Sequence, residues 1–483
     1  MTATTTTSSD RRGDLLLASV AVVAALAVTP LLAGDPTFGL QLGAGLLLTL
    51  LVALRPVAAV TFYVAVSPLL VGLGRGAVVP GLRLNEVLLL PLLAGLGLIV
   101  LGRLWRLRRL PTGFSGMDLV VVALAFTSSV SPLLWMYARG REIGMDDVLY
   151  ALALWKLAAV YAVVRLFLRD VRSVHRVLIA VVVTASAIGA VGIAQALGVG
   201  PVIDVLSAWV PPEEGGYELT MSRGTSTLGN PIAFGDLMVY AGVAAAALAL
   251  RAQRRAPLLW AAAAWLALCA LASGQFSTVL ALGTAAVVFA LVTGTARRMV
   301  LPALALLGVA VLALQPVLAA RTSAVDPDTG LPISWTGRYG RIDNLERYFW
   351  PEIAGDYNWL FGVQTSSRVP GEETWREWIY IESGYTWALW NGGLPLLVAV
   401  VAVIALAVRT GRRLRLATEP VVAVVGTTLA TVPWVLAVLM FLDPHLTLRG
   451  GGELLFVLLA LGATFATTHR AVPEPATTGG HRS

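Results

Sequence analysis

Charge is scarce in this chain: Asp, Glu, Lys and Arg make up 13% of its 483 residues, against 57% that are apolar. A soluble globular chain carries about 25% charged residues, so the composition excludes a soluble fold and indicates an integral membrane protein. Cysteine is rarer still. Cys269 stands alone inside an apolar run, which forbids an intrachain disulfide and suggests a packing role. Lys156 is the one lysine, every other cation among the basic side chains being arginine; with abundant Ala, Val and Leu this suggests a GC-rich bacterial genome. The apolar runs lack the period-2 alternation of a membrane barrel. No His, Cys or carboxylate spacing suits a metal, and there is neither a P-loop nor a dinucleotide fingerprint. The expectation is therefore no metal and no cofactor. The net charge of +7 comes without a basic patch interleaved with aromatics, so no nucleic acid is expected. The arginines flank apolar runs instead, as the positive-inside rule describes.

What the chain has is length of apolar sequence. A helix needs about 20 apolar residues to cross a bilayer core. Runs near 14–33, 38–54, 57–73, 86–102, 117–137, 148–166, 177–197, 231–250, 257–272, 275–294, 300–320, 385–408, 421–441 and 453–468 predict about fourteen such helices, and hence an all-α polytopic membrane protein. The first run is followed at once by more spans and has no small-residue cleavage site, so it reads as a helix and not as a signal peptide. With both termini inside, alternate loops hold the basic stretches "RLWRLRR", "RLFLRDVRSVHR", "RAQRR", "ARR" and "RTGRRLR", while most opposite loops contain acids. The predicted organisation is a polar cytoplasmic tail over 1–12, eleven spans over 13–320 with an outer loop near 198–230, a large extracytoplasmic loop over 321–384, three spans over 385–468 and a second cytoplasmic tail over 469–483. A loop longer than about 15 residues is usually functional or disordered. The Trp and Tyr density of 321–384 argues against disorder, and short amphipathic helices are expected at Ile342 to Ile353 and Glu372 to Tyr380.

Three stretches carry chemistry. In "RGTSTLGNPIAFGDLM", Arg223 precedes small polar residues at the mouth of a helix, where a guanidinium fork, open backbone N–H groups and a helix dipole together make an anion site. The alternative is an arginine that snorkels or pairs with Glu213, Glu214 or Glu218. In "WTGRYGRIDNLERYFW", Arg338 and Arg341 share a helix face and Arg347 lies almost two turns beyond Arg341; surface ion pairs are the alternative for Arg341, Arg347, Arg368 and Arg376. In "YIESGYTWALWNGGLPLL", Glu382 stands where loop meets helix. Beside arginines it stays ionised and can accept a proton, or else it caps the helix. His445, in "DPHLTLRGGGE" with Asp443 and Arg449, faces the outer side, while Lys156 and Asp236 are read as polar contacts between helices.

These stretches resemble the O-antigen ligase and O-antigen polymerase superfamily of bacterial surface-polysaccharide assembly. "RGTSTLGNPIAFGDLM", including Asn230, is similar to its arginine followed by a Gly-Thr-Phe-Gly-Asn-Pro type of segment. "WTGRYGRIDNLERYFWPEI…NWLFGVQ" resembles its Gly-Arg segment, amphipathic helix and Leu-Phe-Gly-Val-Gly. "ESGYTWALWNGGLP" resembles its His-Asn-x-Tyr-Leu-x-x-Leu followed by Gly-Leu, with Tyr385, Leu389, Gly393 and Leu394 in register. The likeness covers about residues 175 to 408. Two positions depart: the family histidine falls on Glu382, and a Ser-Arg pair is replaced by Ser273, Gly274 and Gln275.

The resemblance implies a metal-independent, inverting glycosyltransferase of GT-C type in the bacterial inner membrane, with its active site on the extracytoplasmic face. Its donor would be a polyprenyl-diphosphate-linked glycan and its acceptor a glycan or lipid. Arg223 and Arg338 would clamp the diphosphate and Glu382 would act as general base. Arg341, Arg347, Asn230, Tyr380, Tyr385, Trp378 and His445 would line the substrate site among membrane lipids. The rival is a transporter or flippase for a polysaccharide or lipid-linked oligosaccharide. That rival predicts ionisable residues at mid-membrane and short loops, the reverse of the hydropathy reading here.

Overall fold

The computed structural model describes residues 36–74, 82–105, 113–210, 223–297, 311–322, 340–371 and 378–468, with a few isolated positions between them. The span expected at 14–33, both polar tails and Arg338 lie outside the described residues. Twelve apolar helices run through those that are described: α1 (Pro36–Leu54), α2 (Pro56–Leu70), α3 (Leu84–Trp105), α4 (Gly116–Ala138), α5 (Met145–Phe167), α6 (Val171–Ala196), α7 (Pro231–Arg251), α8 (Ala256–Ala272), α9 (Phe276–Thr293), α10 (Gly384–Leu414), α11 (Pro420–Leu439) and α12 (Gly451–Thr468). Nine of them, α3 to α7 and α9 to α12, are long and apolar enough to cross a membrane. The protein is an all-α polytopic membrane protein. Its only described sheet is a small antiparallel pair, β1 (Arg368–Pro370) with β2 (Trp378–Tyr380), in the register Arg368 to Tyr380.

Local sequence explains the helix starts. Pro56, Pro231 and Pro420 stand at first helical positions, where a missing N–H costs nothing. Asn230 caps α7 by accepting from the N–H groups of Ile232 and Ala233 at 2.8 and 3.0 Å. Ser115 and Asp118 form a capping box on α4, and Asp170 caps α6 through Ser173 N–H at 2.8 Å. Those hydrogen bonds hold the Asp170 carboxyl below its ordinary pKa against the opposing effect of partial burial.

Hydrogen bonds sort the helix ends into two sets. One set holds the end of α2, where Gly72 lies on the Thr227 carbonyl, the starts of α3 and α7, and the ends of α6 and α8, where Gly224 N–H reaches Ala272 O at 2.8 Å. The end of α4 and the start of α10 join this set through the large loop. The other set holds the ends of α5, α7, α9, α10 and α12: Arg165 of α5 reaches Thr464 and Thr467 of α12, and Arg251 and Arg415 bond the Arg415 and Val292 carbonyls. Both α9 and α10 therefore start at the first end and finish at the second. Between them Gln315–Thr322 is helical, and most of the first half of the span expected at 300–320 lies outside the described residues.

The large loop is packed on the bundle. Its helical stretch runs through Arg341–Asn344, a π-turn at Leu345–Phe349 and Trp350–Ala354, close to the helix expected at 342–353. The second expected helix is not formed at its end, since Trp378–Tyr380 is β2. Strand pairing suits the alternation of Trp378, Ile379 and Tyr380, whose middle residue is buried while its neighbours are half-buried. Two motifs meet backbone to backbone. Gly393 breaks α10 with φ 64° and ψ −160°, and a Cβ there would lie 2.2 Å from the Leu360 carbonyl oxygen. Gly362, at φ 93°, lies against Asn391 and Gly392, and Val363 N–H donates to Trp390 O at 2.6 Å. "LFGV" and "NGGLP" are thus two sides of one contact that only glycine permits.

Candidate functional site

At the loop end, four separate segments meet in a line of charged side chains. Glu382 precedes α10, and its Oε2 lies 3.5 Å from Nε of Arg341. Nη2 of Arg341 donates to both Asp443 oxygens at 3.3 and 3.2 Å. Asp443 Oδ2 is 4.0 Å from His445 Nε2, and His445 Nδ1 is 2.7 Å from Asp236 Oδ2 in α7. His445 and Asp236 are both 1% exposed. The 440–450 turn therefore joins the large loop and α10 on one side to the mouth of α7 on the other.

The electrostatics follow from that order. Burial works against a charged imidazole, but the Asp236 carboxylate, with Asp443 behind it, outweighs burial and raises the His445 pKa above the ordinary histidine value, against a small opposing effect of Arg341. Glu382 and Asp443 face Arg341, and Asp443 and Asp236 face the two nitrogens of the His445 ring. Arg341 Nη1 is buried and makes no hydrogen bond to protein among the described residues. That N–H pair is an open donor beside Glu382.

The α7 mouth is built differently from an open anion cradle. Thr225 and Ser226 N–H groups donate to Gln195 Oε1 of α6 at 2.9 and 2.8 Å, and Ser226 Oγ donates to Ile188 O at 2.8 Å. Two backbone donors expected to await an anion are thus satisfied within the protein, as Asn230 is by its cap. Arg223 begins this segment and is half-buried; its expected acidic partners Glu213, Glu214 and Glu218 lie outside the described residues.

Other expected site residues make contacts within the fold. Arg347 makes an i,i+4 pair with Asp343 at 2.8 Å on the surface. Arg368 is 8% exposed, bonds Asp146 at 2.5 Å and lies 4.1 Å above the Trp378 ring. Burial opposes the Arg368 charge, but Asp146 and Tyr380 hold its pKa above the usual arginine value. Trp378 and Tyr380 are thereby tied to Arg368. Tyr385 O–H donates to Ala437 O at 2.8 Å, and its ring meets Phe441 edge-on at 4.8 Å. Trp387 is 4% exposed and donates to Ser367 Oγ at 3.0 Å. The helix cap is Ser383, whose Oγ accepts from Thr386 N–H at 3.3 Å. Glu382 faces Arg341 instead of capping, which corrects the alternative reading of that carboxylate.

The bundle also holds ion pairs that hydropathy hides. Lys156 of α5 lies 3.4 Å from Glu86 of α3 and 3.3 Å from Glu453 of α12, and Arg165, 4% exposed, pairs with Asp118 at 3.3 Å. Lys156 thus makes the contact between helices that its place in a span suggests, while its partners and the Arg165–Asp118 pair were not expected: each lone charge leaves a helix's mean hydropathy high, and a partner on another helix offsets its desolvation. Reading for function missed Gln195, although a lone amide in "AVGIAQALG" is a visible signal, and it missed Trp135 and Arg139, which bond Asn358 Oδ1 at 2.9 Å and Val363 O at 2.6 Å. Among the described residues, no group of three or more His, Cys, Asp or Glu could hold a metal. No family model matches the chain, and neither does any curated protein or solved structure.

Proposed function

We propose that the protein is a GT-C-type membrane glycosyltransferase of the O-antigen polymerase or ligase kind, working on the extracytoplasmic face of the bacterial inner membrane. It transfers a glycan from a polyprenyl diphosphate to an acceptor hydroxyl on a glycan or lipid, with inversion. The observation that carries this reading is Glu382 set 3.5 Å from Arg341 at the junction of the packed loop and α10, with Arg341 Nη1 buried and without a hydrogen bond among the described residues. A carboxylate fixed beside a guanidinium suits general-base work next to an anionic leaving group. Arg341 is engaged by Glu382 and Asp443, so diphosphate neutralisation falls to Arg223 and Arg338, which act as bidentate forks. Arg341 orients Glu382, and the resemblance of the three motifs supplies the donor class.

Purified protein given a polyprenyl-diphosphate donor tests the reading. Glu382→Gln keeps shape and removes the proton acceptor, so turnover should fall by about 10² to 10⁴-fold while donor binding stays nearly constant. Near-normal turnover in the glutamine variant removes Glu382 from the mechanism.

The Lys156 pairs favour a second reading, a transporter or flippase, because intramembrane ion pairs mark transport pathways in many carriers. In sealed vesicles, relocation of donor without a new glycosidic bond would select that reading.

A further inference from the structure

Between α10 and α11 runs a lipid-facing groove of about 630 Å³, whose walls include Val401, Ala405 and Trp434 and whose rim carries Arg409, Arg412 and Arg413. Apart from the arginines, every lining side chain is aliphatic or aromatic. Val401 is 52% and Trp434 41% exposed, so the groove is open along its length.

The arginines decide what belongs there. Spaced i, i+3 and i+4, they share one face of α10 near its end. All three are exposed, and none is paired with an acid among the described residues. Their neighbours at the same end are engaged: Arg165 with Asp118, Arg251 with the Arg415 carbonyl and Arg415 with the Val292 carbonyl. Three guanidinium groups within about one helical turn repel one another, and the repulsion is relieved by an anion with several acceptor oxygens. An apolar trough leading away from that cation cluster adds the shape of a hydrocarbon chain.

We propose that this groove binds an anionic phospholipid, its phosphate on Arg409, Arg412 and Arg413 and one acyl chain along Val401, Ala405 and Trp434. The arginine rim lies at the opposite end of α10 from Glu382, while Tyr385, three residues after Glu382, also lines the groove; the phosphate site on the rim does not depend on the proposed transfer chemistry. Juxtamembrane arginines draw anionic lipid with an energy that adds per charge, and a pocket of this size suits one chain.

Quenching of Trp434 by lipids with brominated acyl chains tests the site in full-length protein, the difference between wild type and Trp434→Phe isolating that one indole. Brominated phosphatidylglycerol should quench at a mole fraction on the order of 10 to 100-fold lower than brominated phosphatidylcholine at low salt, and the preference should shrink as salt rises. Replacing all three arginines by glutamine should abolish the preference. Replacing them by lysine should keep most of it, which separates loss of charge from misfolding. Ala405→Phe, which fills the trough and leaves the charges in place, should weaken quenching by both lipids. Equal quenching by the two lipids, a preference that survives the glutamine substitutions, or quenching indifferent to Ala405→Phe overturns the proposal. Shielding of Trp434 from both lipids would assign the groove to a second copy of the chain and overturn it likewise.

Discussion

Removing the imidazole of His445 should be one of the costliest single changes at the loop end. His445→Ala leaves the Asp236 carboxylate, 1% exposed, without the ring nitrogen that lies 2.7 Å from it. Breaking a buried pair by deleting one partner costs about 3–5 kcal/mol, because the remaining charge stays desolvated. That is roughly two to three and a half decades in the folding equilibrium. The neutral double variant Asp236→Asn with His445→Gln keeps a hydrogen bond and removes both charges, so it should recover most of the loss, to within about 1–2 kcal/mol of wild type. With the single variants Asp236→Asn and His445→Gln, the double variant closes a cycle whose coupling term measures the pair.

The same pair predicts a pH dependence. The His445 pKa is raised in the folded protein by Asp236 and Asp443, against burial and Arg341. Its contribution is therefore fully present below the unfolded value, about 6.5, and is lost as pH rises through the folded value. Unfolding followed in one detergent from about pH 5.5 upward should show stability falling above roughly pH 6.5, with the slope flattened in Asp236→Asn. Wild-type stability that rises through this window, or a slope unchanged in Asp236→Asn, would refute an imidazolium held by Asp236.

Gly393→Ala places a Cβ 2.2 Å from the Leu360 carbonyl at φ 64°, so it should lower stability by at least about 1–3 kcal/mol and loosen the large loop, as increased proteolysis within 340–371 would report. For topology, Glu352 is exposed on the loop and Leu416 is 75% exposed at the basic end, whereas Ser366 is only 9% exposed. A cysteine at 352 should react with an impermeant thiol reagent in intact cells, one at 416 only after permeabilisation, and one at 366 weakly in either case. Cys269 is fully buried and gives little background. Labelling at 416 in intact cells, with 352 protected, would invert the orientation.

Helical spans were the most legible feature because a bilayer demands one property, about 20 apolar residues in succession, that sequence displays directly. Runs of that kind coincide with twelve described helices. The loop's fold was legible only where its period was helical. The stretch from Arg341 to Ala354 declares itself by spacing, but β2 is three residues long and depends on pairing with β1, a partner that no local window contains.

The site was legible in its ingredients and not in its pairings. Glu382, Arg341 and His445 stand out as polar residues at helix mouths. Which of them touch is fixed by the 440–450 turn, which carries Asp443 to a helix more than 100 residues earlier in the chain and His445 to one more than 200 residues earlier. Single residues at such separations leave no periodicity to read. The same physics hid the partners of Lys156, Glu86 and Glu453: each is one charge in an apolar helix, and only packing shows that three helices bring them together. Glycine was the better long-range signal. Gly362, Gly392 and Gly393 are conspicuous in sequence because a loop and a membrane helix have two unexplained small residues in one case and one in the other. Their joint reason is that the backbones touch, with Val363 N–H on Trp390 O at 2.6 Å. A position that tolerates no Cβ constrains its partner as strictly as an ion pair does, and it does so without the desolvation cost that makes buried charge rare. The clamp that holds the loop over α10, and so sets the distance between Arg341 and Glu382, is for this reason built from glycine backbone and tryptophan N–H groups, while the ionisable side chains remain for the chemistry proposed above.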